Sequence, residues 1–207
     1  MNETSESNEK PDHQRPEHRD FWDKRFGEGT TPWNAGGVPE ALMRYIEESN
    51  SQPRTLIPGC GHAWEAAWLA RQGGKVTALD FSAAAVEAAR QQLGNWNGQL
   101  LCDDFFTFKP EVAYDLIYER AFLCALPRKL WQNYGRRMHE LLAPGGRLIG
   151  FFFFSDAPKG PPFGITPEAL DALLSPWFVR EADAAVADSI AVFAGRERWQ
   201  VWRKKAD

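Results

Sequence analysis

The chain has 207 residues, of which 43% are hydrophobic and 25% charged, and its formal net charge is −4 at pH 7. This composition is typical of one globular domain, and the acidic balance argues against nucleic acid as a partner. No apolar run reaches the roughly 18 residues that a membrane-spanning helix requires, so no membrane partner is expected. Three scattered cysteines favour a reduced, cytoplasmic protein without a metal site. A chain of this length is expected to be a monomer.

The first 50 residues divide into a polar tail and an aromatic segment. Residues 1–19 are charged and contain two prolines, so a disordered tail is predicted before a single domain over residues 20–207. Residues 21–37 mix aromatic side chains with glycine and proline, and two interpretations remain open. The segment either caps the core or forms a lid whose Trp22, Phe26 and Trp33 close over a ligand. A helix over residues 38–48 completes a lid-and-helix region, residues 20–50.

The stretch T-L-I-P-G-C-G-H-A-W, residues 55–64, predicts a short buried strand, a glycine turn and the start of a helix. A second strand, residues 75–80, ends on Asp80. Strand, glycine turn, helix, strand and acid are typical of the start of a nucleotide-binding α/β sheet. Gly59 and Gly61 allow the backbone to approach a ligand closely because they lack a Cβ. The Asp80 carboxylate can accept hydrogen bonds from both hydroxyls of a ribose.

The third glycine of a dinucleotide-binding turn is replaced here by Trp64. That glycine normally permits tight packing beside a pyrophosphate, so the bulky indole argues against NAD. A nucleoside without phosphates, such as S-adenosylmethionine, fits the turn better. The alternative is a strand–helix connection whose glycines only form a turn.

The remaining elements alternate between strands and helices. A helix is predicted from Ser82, as N-cap, to Gly94, as C-cap, and another over residues 128–142. A short helix capped by Thr166 follows a proline-rich loop. Strands are predicted over residues 100–106, 114–120, 147–154, 178–186 and 198–203, with a tight hairpin turn at residues 194–197. The predicted fold is a Rossmann-like α/β domain, with a mostly parallel seven-stranded sheet, an antiparallel edge hairpin and helices on both faces.

Acidic residues recur where the predicted strands end. Ligands of open α/β sheets bind beyond the carboxyl ends of the strands, which makes this series informative. Asp103 or Asp104 can accept a hydrogen bond from an adenine amine, with Phe105 beside the ring. Glu119 and Arg120 fall where the reactive end of such a ligand would lie. For any single acid, the simpler interpretation is a turn residue or a helix cap.

Several motifs together resemble one family. These are F-W-x-x-R-F from residue 21, T-P-W-N-A-G from 31, L-I-P-G-C-G from 56, D-D-F-F from 103, Y-E-R-A-F-L-C-A-L from 118 and G-P-P-F from 160. The chain resembles the class I S-adenosylmethionine-dependent methyltransferases. Within that class it is similar to the thiopurine S-methyltransferase family and to the plant halide and thiol methyltransferases.

This resemblance implies roles for individual residues. Trp22 and Trp33 would cover the cofactor, Gly59 and Gly61 would meet its methionine end, and Glu119 and Arg120 would flank the methyl group and the acceptor. Asp80 and Phe81 would bind the ribose side and Asp103, Asp104 and Phe105 the adenine. Pro161, Pro162 and Phe163 would form the wall of the acceptor pocket. The family commonly has Asp at the position of Glu119, and its plant members carry a hydroxyl at that of Phe163.

The predicted function is methyl transfer from S-adenosylmethionine to a small sulfur nucleophile (a thiol, thiopurine or hydrosulfide) or a halide. The in-line displacement needs no metal, and Arg120 would orient an anionic acceptor. The alternatives are a sensor that binds S-adenosylmethionine without turnover and a methyltransferase of another small-molecule acceptor. An NAD-dependent oxidoreductase is disfavoured because the chain lacks a Tyr-x-x-x-Lys pair. A nucleic-acid methyltransferase is disfavoured because the Asn- or Asp-Pro-Pro-aromatic motif is absent.

Overall fold

The computed structural model describes residues 10–206, and its first half contains four helices and three strands. Helices α1 and α2 precede the sheet and are followed by alternating strands and helices. Their bounds are α1 Arg19–Gly27, α2 Glu40–Ser49, β1 Arg54–Pro58, α3 Trp64–Arg71, β2 Lys75–Asp80, α4 Ala83–Leu93 and β3 Gln99–Cys102.

The second half adds four strands and two helices. Their bounds are β4 Tyr114–Arg120, α5 Trp131–Leu141, β5 Leu142–Phe153, α6 Pro167–Leu174, β6 Phe178–Ala185 and β7 Glu197–Lys204. The strands of residues 10–206 form one sheet of seven, in the order β3-β2-β1-β4-β5-β7-β6. Strand β7 runs antiparallel to both of its neighbours, β5 and β6. The mostly parallel sheet with an antiparallel hairpin is therefore confirmed.

The sheet separates two hydrophobic cores because successive side chains of a strand point to opposite faces. In β1, Ile57 packs with α2, α3 and α4, whereas Leu56 packs with α5 and α6. In β4, Tyr118 belongs to the same core as Ile57, and Ile117 belongs to the same core as Leu56. Both faces are thus covered by helices, as predicted for a sheet whose central strands are hydrophobic throughout.

The predicted helix caps are confirmed. The Ser82 hydroxyl accepts a hydrogen bond from the amide of Ala85 at the start of α4, and Gly94 ends that helix. Thr166 caps α6 in the same way through the amide of Ala169. Each cap satisfies an amide that the helix itself leaves without a partner.

Two predicted boundaries are wrong for local reasons. Strand β3 ends at Cys102 instead of residue 106 because the carboxylates of Asp103 and Asp104 accept the amides of Asp104 and Phe106, which turns the chain. The helix predicted over 128–142 is split, with a 3-10 turn at Arg128–Leu130 before α5 begins at Trp131.

The connection between β6 and β7 also differs from the expected tight turn at 194–197. It extends over residues 186–196, between the last residue of β6 and the first of β7. Phe193 is buried in this connection against Phe153 and Cys124. An aromatic side chain that reaches back to the sheet explains why the connection is long.

Residues 10–19 differ from the predicted disordered tail, of which residues 1–9 lie outside the described range. A 3-10 turn occupies Asp12–Gln14, and α1 starts at Arg19. Glu17 forms an ion pair with Lys129 at 2.6 Å. The indole nitrogen of Trp22 donates to the Pro16 carbonyl at 2.8 Å. These contacts attach the segment to the domain. Within residues 10–206, no helix has the length and apolar character needed to cross a membrane.

The α5 face of the core yields a stability prediction. The Met138 side chain is fully buried between α5 and the sheet. We expect Met138→Ala to lower the free energy of unfolding by about 2–5 kcal/mol, because it removes packed methylene groups and leaves a cavity. Urea denaturation measures this change. The exposed Val112 provides the control, since Val112→Ala is expected to change stability by less than about 0.5 kcal/mol, and equal losses in both variants would contradict the assigned core.

Candidate active site

A cavity of about 420 Å³ opens at the carboxyl ends of the parallel strands. It lies where the strand order reverses between β1 and β4, the usual ligand site of an open α/β sheet. Its walls come from the turns after β1, β2, β3 and β4, from residues 16–37, and from two later loops. Most predicted site residues line it, namely Trp22, Trp33, Gly59, Gly61, Asp80, Phe81, Asp104, Phe105, Arg120, Pro161 and Pro162. Asp103, Glu119 and Phe163 are the predicted residues that do not.

The glycine turn after β1 forms the floor of this cavity. Gly59 and Gly61 have φ values of 60° and 50°, which side-chain-bearing residues rarely adopt. A Cβ on Gly59 would lie 2.5 Å from the Phe122 ring. Glycine at residue 59 is therefore required both by backbone conformation and by the close approach of the turn after β4.

Asp80 fastens this turn to the end of β2. One carboxylate oxygen accepts the amide of Gly61 at 3.1 Å and the other accepts the amide of Ser82 at 3.0 Å. Burial raises the pKa of Asp80 to about 6, although both amide hydrogen bonds oppose this shift. Each carboxylate oxygen has a second lone pair, so Asp80 retains acceptor capacity towards the cavity.

The aromatic N-terminal segment lines the cavity and is packed into the fold, which agrees with the capping interpretation, while its closure over a ligand stays a prediction. Trp33 meets Trp22 and Phe26 edge to face. On α1, the Asp23 carboxylate accepts the Ser82 hydroxyl at 2.6 Å and the Ala84 amide at 3.0 Å. The sequence did not single out Asp23, although an acid near the N-terminus of α4 is favourable for that helix.

A second anchor of this segment was also missed. The Trp64 indole nitrogen donates to the Asn34 side-chain oxygen at 2.9 Å. Trp64 therefore occupies the third position of the glycine turn and binds the segment that covers the cavity. This hydrogen bond gives the bulky indole a structural role at the position where a dinucleotide-binding turn has glycine.

Asp104 and Phe105 line the adenine side predicted from the end of β3. Phe105 is buried and packs edge to face against Phe122. Asp103 lies outside the cavity, where its carboxylate accepts the amide of Asp104 at 2.7 Å. Of the two acids left open by the sequence, the structure thus places Asp104 at the cavity.

Arg120 extends into the cavity from the end of β4. Its side chain is 10% exposed, lies 3.8 Å from the Glu65 carboxylate and has its guanidinium carbon 4.9 Å above the Phe151 ring. Two of its buried nitrogens, Nε and Nη1, have no hydrogen-bond partner among the described residues. Burial opposes the charge of Arg120, but neighbouring Tyr118, Glu65 and Glu197 raise its pKa, so it stays cationic. A buried cation with free donors is suited to bind an anion.

Glu119 does not line the cavity, and its carboxylate is surrounded by hydrogen-bond donors. Its carboxylate accepts the amides of Phe122 and Leu123 and the hydroxyl of Tyr134, the last at 2.6 Å. Burial raises the pKa of Glu119 to about 7 despite these hydrogen bonds. Glu119 is absent from the cavity lining, where the sequence predicted it beside the methyl group. It instead holds the turn that follows Arg120.

The side of the cavity that the sequence assigned to the acceptor contains two of the three predicted wall residues. Pro161 and Pro162 line the cavity, but Phe163 does not, and its amide donates to the Cys124 carbonyl at 2.7 Å. Cys124, Val192 and Phe193 complete this wall. The last two lie in the β6–β7 connection, which sequence patterns alone did not place near the site. Among residues 10–206, no cluster of His, Cys, Asp and Glu has the geometry to hold a metal ion.

Comparison with known proteins agrees with this fold. The N1-methyltransferase of 1,6-didemethyltoxoflavin from Burkholderia thailandensis superposes with a TM-score of 0.75 at 19% identity, covering 97% of this chain and 93% of that one. Magnesium protoporphyrin IX methyltransferase from Synechocystis superposes with a TM-score of 0.74 at 15% identity, covering 94% and 100%.

Relatives in sequence cover between 72% and 89% of the chain. A probable thiol methyltransferase 2 from Arabidopsis thaliana is 31% identical over 194 residues, covering 89% of this chain and 85% of that protein. Thiocyanate methyltransferase 1 from Brassica oleracea is 30% identical, covering 88% and 84%. A thiopurine S-methyltransferase from Vibrio cholerae is 29% identical, covering 72% and 77%.

The sheet order, the glycine turn and the acid that ends β2, together with these relatives, identify a class I S-adenosylmethionine-dependent methyltransferase. The profile of the thiopurine S-methyltransferase family matches residues 17–205. The chain therefore belongs to the thiopurine S-methyltransferase family.

Glu119 generates a prediction about pH and stability. Its pKa is about 7 when folded against an ordinary value of 4.5. Between these two pH values the folded protein binds a proton that the unfolded chain has lost. The protonated carboxyl therefore stabilises the folded state at low pH, and this stabilisation is lost as pH rises from 4.5 through 7. Glu119→Gln, which stays neutral, should remove this loss, on the order of 2–3 kcal/mol across the window, since one pKa unit corresponds to about 1.4 kcal/mol.

Urea denaturation of both proteins at a series of pH values measures this difference. As pH rises from about 5 to about 8, the parent should lose stability because its carboxyl ionises, whereas Glu119→Gln should not. The free energy of unfolding of the variant should therefore rise relative to that of the parent. Two parallel stability curves would show that Glu119 does not titrate in this range.

Proposed function

We propose that this methyltransferase transfers the methyl group of S-adenosylmethionine to a small sulfur nucleophile held beside Arg120. The observation that carries the proposal is the buried guanidinium of Arg120, which lines the cavity with two nitrogens free of hydrogen bonds within the described chain. Relatives named for thiols, thiocyanate and thiopurines support a sulfur acceptor. A halide is the related acceptor that the same cationic site would accommodate.

The residues around the glycine turn suit the adenosyl part of the cofactor. Gly59 and Gly61 expose backbone to the cavity, and Asp80 offers carboxylate lone pairs for two ribose hydroxyls. Phe81, Asp104 and Phe105 would enclose the adenine, with the Asp104 carboxylate accepting from its amine. Apolar walls with a few polar groups are the usual composition of such sites.

Trp22 and Trp33 would exclude water from the reacting groups. Their rings form the aromatic roof of the cavity, anchored through Asp23 to the start of α4. Exclusion of water strengthens the attraction between a cationic donor and an anionic acceptor. When bound, S-adenosylmethionine supplies an already activated methyl group, so the chain needs no covalent nucleophile.

The contribution of the chain is alignment. Holding two reactants in line provides on the order of 7–11 kcal/mol of the barrier reduction. Arg120 would orient the acceptor, and Pro161, Pro162 and Phe193 would limit its size. Phe163 would act indirectly by tying the proline loop to Cys124. We assign Glu119 a positioning role, because its hydrogen bonds fix the backbone immediately after Arg120.

We also propose that the enzyme acts in the cytoplasm as a monomer formed by one domain over residues 20–207. Its three cysteines are free, as expected in a reducing compartment, and two of them are buried. One continuous sheet includes every strand of the described chain, which supports a single domain. A sedimentation mass of twice the 23.4 kDa chain would overturn the monomer.

The decisive experiment is release of S-adenosylhomocysteine with a panel of acceptors. The panel contains a thiopurine, an aryl thiol, hydrosulfide, thiocyanate and iodide. Turnover with sulfur acceptors is expected, and the preferred acceptor would identify which relatives the chain follows in activity. Turnover with none of them, despite tight cofactor binding, would contradict the proposal and favour a non-catalytic sensor or a different acceptor.

Arg120 provides a specific test of the acceptor site. Arg120→Ala should lower kcat/KM for anionic acceptors by about 100-fold, since a charge-assisted hydrogen bond contributes roughly 1.5–3 kcal/mol. Affinity for S-adenosylhomocysteine, measured by calorimetry, should be retained. Arg120→Lys keeps the charge and loses the planar fork, so its loss should be smaller. Unchanged kinetics of Arg120→Ala with every anionic acceptor would refute this role.

A further inference from the structure

Glu65 is a buried carboxylate in the wall of the cavity that the proposed mechanism has not yet used. It lies in the first turn of α3, six residues after Gly59, and its side chain is 12% exposed. Its Oε1 atom lies 3.8 Å from Arg120 and accepts the Tyr118 hydroxyl at 3.3 Å. A carboxylate at this depth normally requires a closer ionic partner or several hydrogen bonds.

A second buried carboxylate acts electrostatically on the same guanidinium. Glu197, at the start of β7, interacts electrostatically with Arg120 and is 6% exposed, but it does not line the cavity. Its Oε2 atom lacks a hydrogen-bond partner within the described chain, as do two nitrogens of Arg120. Two carboxylates therefore share one cation, which leaves a surplus negative charge if both are ionised. Such a cluster favours the uptake of one proton.

We propose that Glu65 is the general base that takes the proton from a neutral thiol acceptor as the thiol binds beside Arg120. This inference rests on the proposed function. In the step, the S–H bond of the acceptor breaks, its electron pair stays on sulfur, and the proton passes to the Glu65 carboxylate. The resulting thiolate replaces Glu65 as counterion of Arg120. It then forms the new S–CH₃ bond while the sulfonium carbon–sulfur bond breaks, and Glu65 returns its proton to solvent.

The ionisation of the groups around Glu65 agrees with this exchange. Burial raises the pKa of Glu65, while the charge of Arg120 and the hydrogen bond from Tyr118 lower it by less. The other titratable group beside it, Cys60, stays a thiol because burial raises its pKa well above its usual range. Arg120 lowers the pKa of a thiol placed next to it. The donor and acceptor of the proton are thus brought closer in pKa, as efficient general base catalysis requires.

This assignment makes a prediction that depends on the acceptor. Thiocyanate and iodide are anions before they bind and have no proton to lose. An alkyl thiol resembles the cysteine side chain, with a pKa of about 8.5, and must be deprotonated. Glu65→Gln should therefore lower kcat/KM for alkyl thiols by about 100-fold or more. For thiocyanate and iodide we expect a change below about threefold, because no general base is needed.

The matched control is Glu197→Gln, which makes the same chemical change beside the same arginine but outside the cavity. If Glu65 acts only by adjusting the charge of Arg120, both variants will affect thiols and anions alike. A spectroscopic measurement separates the roles without turnover. With S-adenosylhomocysteine bound, an alkyl thiol added below its solution pKa should form the thiolate in the parent and in Glu197→Gln without releasing a proton to solvent, because Glu65 takes it. Glu65→Gln keeps the charge of Arg120, so it should form the thiolate only with release of one proton, which a pH indicator detects.

Several results would overturn the proposal while leaving the proposed function intact. These are undiminished alkyl-thiol turnover by Glu65→Gln, an equal loss with thiols and anions, or weakened S-adenosylhomocysteine binding that accounts for the whole loss. The last result would instead assign Glu65 to the ammonium group of the cofactor. A parent enzyme that methylates anions but no thiol would also refute it. Failure of the parent with the entire acceptor panel would contradict the proposed function itself.

Discussion

The active site depends on the hydrogen bonds that the buried Asp80 carboxylate accepts from two backbone amides. Gly61 contributes one amide from the turn after β1, and Ser82 contributes the other from the start of α4. The Asp80 side chain thereby holds the ends of β1 and β2 at a fixed separation. The cofactor is proposed to bind at these strand ends. Ser82 in turn donates to Asp23, so the same chain of contacts holds α1. Roof and floor of the cavity are connected through three side chains.

Asp80, at the end of β2, and Glu119, one residue before the end of β4, are both buried but have different surroundings. Burial raises the pKa of both, but Asp80 faces the cavity, whereas Glu119 faces Tyr134 and the amides of its own turn. Asp80 is therefore available to a ligand, and Glu119 is occupied in shaping the backbone. The resulting conformation places Ala121 at φ 56° and brings Phe122 against Gly59. The orientation of Arg120 follows from this turn.

The acceptor side combines a charged cluster with an apolar wall. Glu65 lies 3.8 Å from Arg120 and Glu197 acts on it electrostatically, and the wall beside them contains proline, cysteine and aromatic side chains. Such a site discriminates by charge and size, since few directional groups face the acceptor. Breadth towards small, polarisable anions and thiols is the expected consequence. This arrangement agrees with a family whose members are named for thiols, thiocyanate and thiopurines.

The sequence by itself determined the sheet and the half of the site that is local in the chain. Hydrophobic runs specify the strands, and Gly59, Gly61 and Asp80 lie next to strand ends, where the fold class places ligands. Only the tertiary structure decided which way Glu119 points, because adjacent residues of a strand face opposite sides and the end of a strand can turn either way. It also decided which distant loops meet the site. Phe193 packs with Cys124 across 69 positions of sequence, and Glu65 approaches Arg120 across 55. Such contacts depend on how separate elements pack, and no local pattern encodes them.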